Sequence, residues 1–279
     1  FIPSKNETLI GGLTFLKNWI IRSEVSNALG KIFVRNIKTN IEEELTFSEE
    51  KVYDGGVSLI QKDRNTDLIH ISYSTPKTQS RVYLYNLKTK EKKLVKEQII
   101  PSGHIRDNYI VERLNCESHD GRQIPMTITY HKKTKLDGNA HVLLYGYGSY
   151  GMSMGPSFSS TRLSLINRNI IWVTCHIRGG MERGMRWWKE GKMLNKKNTF
   201  SDFISCAKFL IEKKYTSKKK IIAFGGSAGG LLLGSTINQI PDLLLGAIMA
   251  VPFVDNLTTN MDHSLPLTKG ELLEFGDAK

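Results

Sequence analysis

Through the first third of the chain, apolar and polar residues alternate in short bursts. Trp19-Ile-Ile-Arg-Ser-Glu-Val25, Lys31-Ile-Phe-Val-Arg-Asn-Ile37, Leu68-Ile-His-Ile-Ser-Tyr73 and Arg81-Val-Tyr-Leu-Tyr85 carry the two-residue period of half-buried strands. Turn formers separate them: Asn27-Ala-Leu-Gly30, Tyr53-Asp-Gly-Gly56, Thr75-Pro76 and Asn86-Leu-Lys-Thr-Lys90. Short strands at this spacing predict an antiparallel all-β unit over residues 1–103, either a sandwich or blades of a propeller. The stretch from Arg81 to Val95 has the form of a blade's outer hairpin. Two or three blades fit the segment, fewer than a closed propeller needs. No internal repeat of fixed period stands out.

From about residue 104 the pattern changes. Asp120-Gly121 turns into an alternating strand, Ile124-Pro-Met-Thr-Ile-Thr-Tyr130. Near-continuous apolar runs come next, at 142–145, 170–174, 221–224 and 246–251. Between them Phe200, Phe203, Ile204, Ala207, Leu210 and Ile211 recur at helical spacing, with Thr199 as the expected N-cap and Asp202 in the first turn. Strands buried on both faces and alternating with helices predict a parallel α/β sheet over residues 104–279.

Composition narrows the partners. An apolar fraction of 40% suits a globular chain with a sizeable core, and the apolar stretch from Leu243 to Val254 is too short to span a bilayer. A net charge of +12 raises the question of nucleic acid. The lysines, however, fall in scattered runs such as Lys88-Thr-Lys-Glu-Lys-Lys93, Lys196-Lys197, Lys213-Lys214 and Lys218-Lys-Lys220, with no interleaved aromatic stripe. They read as solvated turns, so neither nucleic acid nor membrane is expected as a partner. Three cysteines without CxxC spacing argue against a disulfide framework or a structural zinc and fit a reducing cytoplasm; no metal or cofactor is expected. The start, Phe1-Ile-Pro-Ser-Lys5, has neither an initiator methionine nor a signal-peptide pattern, which suggests a chain that begins within a longer protein.

The chemistry centres on Lys220-Ile-Ile-Ala-Phe-Gly-Gly-Ser-Ala-Gly-Gly230. A G-x-S-x-G pentapeptide here joins an apolar strand to the apolar helix beginning Leu231-Leu-Leu-Gly-Ser-Thr-Ile237, the context of a nucleophile elbow. Such a turn lifts the Ser227 hydroxyl above the sheet at a helix N-terminus, where free N–H groups favour developing negative charge. A nucleotide-binding turn is the alternative, but the stretch has neither GxGxxG spacing nor GK[ST]. An elbow also needs an oxyanion hole, with one N–H from Ala228 and a second donor from the loop after an earlier strand. Tyr145-Gly-Tyr-Gly-Ser-Tyr-Gly151 is the candidate loop, with a tyrosine hydroxyl as donor.

Gly146-Tyr-Gly-Ser-Tyr-Gly151, Arg178-Gly-Gly180, Lys196-Lys-Asn-Thr-Phe-Ser-Asp202 and Gly225-Gly-Ser-Ala-Gly-Gly230 together resemble the prolyl oligopeptidase family of serine peptidases. Val251-Pro-Phe-Val-Asp255 and Pro266-Leu-Thr-Lys-Gly-Glu271 resemble its oligopeptidase B branch. The resemblance implies an α/β-hydrolase domain paired with a β-propeller, and cleavage of short peptides after Lys or Arg. The expected fold is then an incomplete α/β-hydrolase sheet preceded by partial propeller blades. By the same resemblance Ser227 is the nucleophile, Tyr147 and the Ala228 N–H form the oxyanion hole, and Glu271 receives the basic side chain of the substrate. A carboxylate facing a guanidinium is a chemically apt pair.

Beyond the serine the chain departs from that family. The order in this fold is Ser, Asp, His, yet after Ser227 the chain holds one histidine, His263, with Asp242, Asp255, Asp262 and Asp277. None matches a triad position; Asp255 and His263 are expected to be structural or at the surface. The chain therefore reads as a fragment, inactive alone for want of the acid and base, unless a second polypeptide supplies them. The alternative is a non-catalytic peptide-binding remnant. Gly155, Ser157, Met181 and Leu273 stand where the branch has other residues, which weakens the expectation of a dibasic preference.

Overall fold

Strand pairing changes where the sequence pattern does. The structure, a computed structural model of the chain, describes residues 2–46, 50–60 and 63–278; Phe1 and Lys279, the outer bounds of the two expected units, lie outside the described residues. Backbone contacts divide the chain into two units. The first comprises Phe1–Tyr109 with the short segments Gly155–Ser160 and Glu182–Gly184, and the second the remainder.

The first unit holds two four-stranded antiparallel meanders. One runs β1 (Thr8–Phe15), β2 (Trp19–Ser26), β3 (Leu29–Asn36) and β4 (Glu42–Glu44); the other runs β5 (Asp54–Ser58), β6 (Leu68–Ser74), β7 (Arg81–Asn86) and β8 (Lys92–Glu97). Each has the strand count and order of a propeller blade. Ile21, Ile32 and Val34 of the first and Ile69 and Ile71 of the second are buried in one cluster with Trp19 and Leu87.

An internal repeat, not evident from the sequence pattern, emerges in the hairpins. Asn36-Ile-Lys-Thr-Asn40 and Asn86-Leu-Lys-Thr-Lys90 close the β3–β4 and β7–β8 hairpins with one geometry. In each, the asparagine Oδ1 accepts the backbone N–H groups two and three residues on, and its carbonyl accepts the N–H of the fourth. That fourth residue is left-handed in both, with φ of 58° at Asn40 and 65° at Lys90. The likeness is confined to the turn because only the turn demands particular residues; the strands need only the alternation.

The second unit is built on a six-stranded sheet in the order β14 (Leu244–Ala250), β13 (Ile221–Gly226), β11 (Val142–Tyr145), β12 (Ile171–Cys175), β10 (Gln123–His131), β9 (Tyr109–Glu117). The helices are α1 (Ser160–Ile166), α2 (Gly184–Lys189), α3 (Lys196–Glu212), α4 (Ala228–Gln239), α5 (Asn256–Met261) and α6 (Thr268–Phe275). The four near-continuous apolar strands, β11 to β14, pair in parallel as expected, whereas β10 runs antiparallel to β12. β10 is the strand whose alternating sequence marked it as different in kind. Val142, Leu144, Ile171, Val173, Ile221 and Ala223 on the sheet pack with Phe203, Ala207 and Leu210 of α3 and Leu232 and Leu233 of α4. Full burial of each large apolar side chain contributes about 1.5–3 kcal/mol.

Helix α3 also begins earlier than its apolar spacing implied. It starts at Lys196 after Asn195, so Thr199 is not a cap but a buried residue within the helix, its hydroxyl donating to the Gly191 carbonyl at 3.0 Å. Asp202 is buried too, accepting from the Arg178 Nε at 2.9 Å, the Arg178 N–H at 3.1 Å and the Ser118 hydroxyl at 2.6 Å. The reading of Lys196-Lys197 as a solvated turn holds for Lys197, which is exposed, and fails for Lys196, which is buried. Among the described residues no helix is long and apolar enough to cross a membrane.

Candidate active site

Strand order sets the location of the site. The chain leaves β11 toward β12 on one side and returns across it to β13 on the other, so the carboxyl ends of β11 and β13 flank a topological switch point. Tyr145 pairs with Phe224 across these parallel strands. The loop that continues from Tyr145 therefore rises beside the turn that continues from Phe224. That brings Tyr147 to Ser227.

The turn at Ser227 is strained and over-determined. Ser227 has φ 53° and ψ −122°, a conformation that side chains other than glycine rarely adopt. Its N–H donates to the Ala250 carbonyl at 3.0 Å, while its own carbonyl accepts from Gly230 N at 2.8 Å and Phe253 N at 2.9 Å. The small neighbours are required: a Cβ on Gly225 would lie 2.7 Å from the Gly229 carbonyl oxygen, and one on Gly230 would lie 2.4 Å from Pro252 Cβ. The outcome is an exposed serine at the head of α4, above a buried Ala228. As the first residue of that helix, Ala228 has an N–H without an intrahelical acceptor.

Tyr147 meets this serine directly. Burial pushes the phenol above its ordinary range, and a hydrogen bond from the Ser227 side chain pulls it back. The ring therefore stays protonated, able to donate to a developing oxyanion, and its neighbours Glu271 and Glu274 reinforce that state by like-charge repulsion of a phenolate.

Glu271 lies in the first turn of α6 and accepts both branches of a hydrogen bond from the Tyr150 hydroxyl, at 2.8 and 3.1 Å. The Tyr147 and Tyr150 ring centroids are 6.2 Å apart. Burial raises the Glu271 pKa and the charge of Glu274 adds to the rise, while Tyr150 and the Lys196 ammonium oppose it. The structure thus gathers Ser227, Tyr147, Ala228 and Glu271 around one loop. The aspartates and the histidine after the serine are elsewhere: Asp255 caps α5 by accepting from Thr258 N at 3.1 Å, and His263 is exposed between α5 and α6. Among the described residues the Ser227 hydroxyl has no histidine partner.

Two participants went unread in the sequence. Tyr150 holds Glu271, and Lys196 joins the loop to Glu274. For Tyr150 the signal was the third tyrosine of the Tyr-Gly-Tyr-Gly-Ser-Tyr-Gly run, paired with a left-handed backbone at φ 57°.

A strained serine between a parallel strand and a helix, facing a tyrosine from the neighbouring strand's loop, defines an α/β-hydrolase-like site. Residues 156–279 match the model of the prolyl oligopeptidase family, Peptidase_S9. It is 37% identical over 278 residues to dipeptidyl aminopeptidase BI of Pseudoxanthomonas mexicana, a match that covers 99% of this chain and 38% of that protein. It is 40% identical over 231 residues to protease 2 of Moraxella lacunata, covering 83% of this chain and 33% of that one. Oligopeptidase B from Trypanosoma brucei, solved with covalently bound antipain, superposes with a TM-score of 0.93 at 34% identity, over 99% of this chain and 40% of its own. The chain thus spans well under half the length of these relatives.

Proposed function

We propose that the chain carries the nucleophile and oxyanion-binding part of a serine peptidase that cleaves short peptides after Lys or Arg by acyl transfer. The observation that carries this reading is Ser227 itself: an exposed hydroxyl on a strained turn, hydrogen-bonded to Tyr147. In the reaction the Ser227 Oγ adds to the scissile carbonyl, and the Tyr147 hydroxyl and Ala228 N–H receive the oxyanion. Glu271, close to Tyr147 through Tyr150, is the acid that meets the basic side chain.

Transfer of the serine proton needs a base, and among the described residues no histidine partners Ser227. The 279-residue chain is therefore expected to be inactive alone and to regain activity with a second polypeptide that supplies Asp and His. The outer edge of β14 is the surface for it: Leu245 and Ile248 are 53% and 50% exposed on a strand that, among the described residues, forms one end of the parallel run, a class of strand normally covered on both faces. Hydrolysis of a fluorogenic arginine amide tests the reading. Turnover that depends on Ser227 in the isolated chain would refute the need for a partner. A fluorophosphonate probe that fails to label Ser227 even in the completed assembly would refute the nucleophile. The alternative reading is a non-catalytic peptide-binding groove, in which peptide binding measured by calorimetry survives Ser227→Ala.

A further inference from the structure

Glu271 and Glu274 stand three residues apart on α6 and share a face, yet they are treated differently. Glu271 is half-buried, with the Tyr150 hydroxyl bonded to it. Glu274 is 1% exposed and satisfied at both oxygens, by Lys196 Nζ at 3.0 Å and by the Trp188 indole N–H at 2.8 Å. Lys196 has three protons to give and gives all three. Besides Glu274, it donates to the Gly148 carbonyl and to the Ser149 hydroxyl, each at 2.6 Å. Gly148 and Ser149 are the two residues between Tyr147 and Tyr150.

We propose that Lys196 is a positioning and specificity-determining residue: it ties α6 to the Tyr147–Tyr150 loop and neutralises Glu274, so that the site offers a single carboxylate, Glu271, to a single guest cation. The proposal rests on reading Glu271 as the acid that receives a substrate cation. A buried ion pair is a poor source of stability, because desolvation offsets the attraction, but it is a good source of register. Only a buried cation can satisfy two loop oxygens and cancel a carboxylate with one atom. Were Lys196 absent, Glu274 would sit uncompensated one helical turn from Glu271, and nothing would hold the loop's inner oxygens against α6. The consequence is geometric as well as electrostatic: the distance between the guest cation and the Ser227 hydroxyl is set through this ammonium together with the Tyr150–Glu271 bond.

The test uses the whole chain, with benzamidine as a single-cation probe in calorimetry and amide hydrogen exchange read over residues 146–151 and 268–275. Because Lys196→Met alone leaves a buried charge and can fail to fold, the deciding variant is the double substitution Lys196→Met/Glu274→Gln, which removes the pair together. It is expected to keep its melting temperature near that of the parent chain, to bind benzamidine about tenfold more weakly, and to exchange faster in both segments. Lys196→Arg, which keeps the charge and the donors, should recover most of the affinity. A double variant with affinity within about twofold and unchanged exchange overturns the proposal. Glu271→Gln separates the two readings: it should abolish benzamidine binding with exchange unchanged. If the parent chain binds no benzamidine, the assignment of Glu271 falls and with it the specificity role, and the exchange of the double variant alone then decides whether Lys196 positions the loop.

Discussion

Replacing Ser227 by glycine should make the second unit more stable than replacing it by alanine. Both substitutions remove the hydroxyl and its bond to Tyr147, so that loss cancels between them. Alanine keeps a Cβ at φ 53° and ψ −122°, a placement that costs about 1–3 kcal/mol for a residue other than glycine. Glycine relieves this strain but gives up about 0.5–1 kcal/mol through its freer unfolded chain. Taking the middle of each range, about 2 and about 0.75 kcal/mol, leaves about 1.25 kcal/mol in favour of glycine. With a urea slope of about 2 kcal/mol/M, that separates the two midpoints by about 0.6 M. Tryptophan fluorescence is the right probe, because Trp172, Trp187 and Trp188 belong to the second unit and only Trp19 to the first. The surroundings cannot relax the strain away, since Ala250, Gly230 and Phe253 all hold the backbone of residue 227 by hydrogen bonds. A midpoint for Ser227→Ala equal to or above that of Ser227→Gly would refute the argument that this turn stores strain.

Three further outcomes rest on the same geometry. Gly230→Ala brings a Cβ to 2.4 Å from Pro252 Cβ, and should cost about 1–3 kcal/mol in urea unfolding and lower fluorophosphonate labelling of Ser227. Asp202→Ala strands the guanidinium of Arg178, which is 1% exposed and would retain only Asp120; a loss of about 3–5 kcal/mol is expected, and a loss under about 1 kcal/mol would mean that Asp120 suffices. Because burial and Glu274 raise the Glu271 pKa, its binding form is lost at higher pH than for an ordinary glutamate near about 4.3. Benzamidine affinity should therefore fall as pH drops through a midpoint above that value, and a midpoint at or below it would contradict the burial of this carboxyl.

How much of this was legible in the sequence depends on how local each cause is. Strands β2, β6 and β11 could be read nearly to their ends because alternation or continuous burial is written in consecutive residues. Ser227 and Ala228 were equally plain, since the G-x-S-x-G spacing and the apolar runs on either side of it are written in consecutive residues. The partners of Glu271 were not, because Tyr150 lies 121 residues before it and meets it only after the sheet has formed. β1 and β9 were missed because their burial is set by neighbours distant in the chain, not by a regular period of their own.

Lys196 is the instructive failure. A lysine pair reads as solvated, and composition alone cannot tell Lys196 from Lys197. Helical geometry can. Counting from Lys196 in steps of three and four reaches Thr199, Phe203, Ala207 and Leu210, all buried, whereas Lys197 begins no such row. The apolar spacing of this helix is plain from Phe200 onward, and extending it backward by one turn places one lysine, and only one, on the inner face. A lysine at the head of an inward-facing row must either snorkel out or find an acceptor. Here it finds three, and they belong to the two segments that bring Tyr147 and Glu271 together. The buried cation is thus a consequence of helix register, and a lysine that continues an apolar row is a testable pointer to a site even when the segments it joins are far apart in the chain.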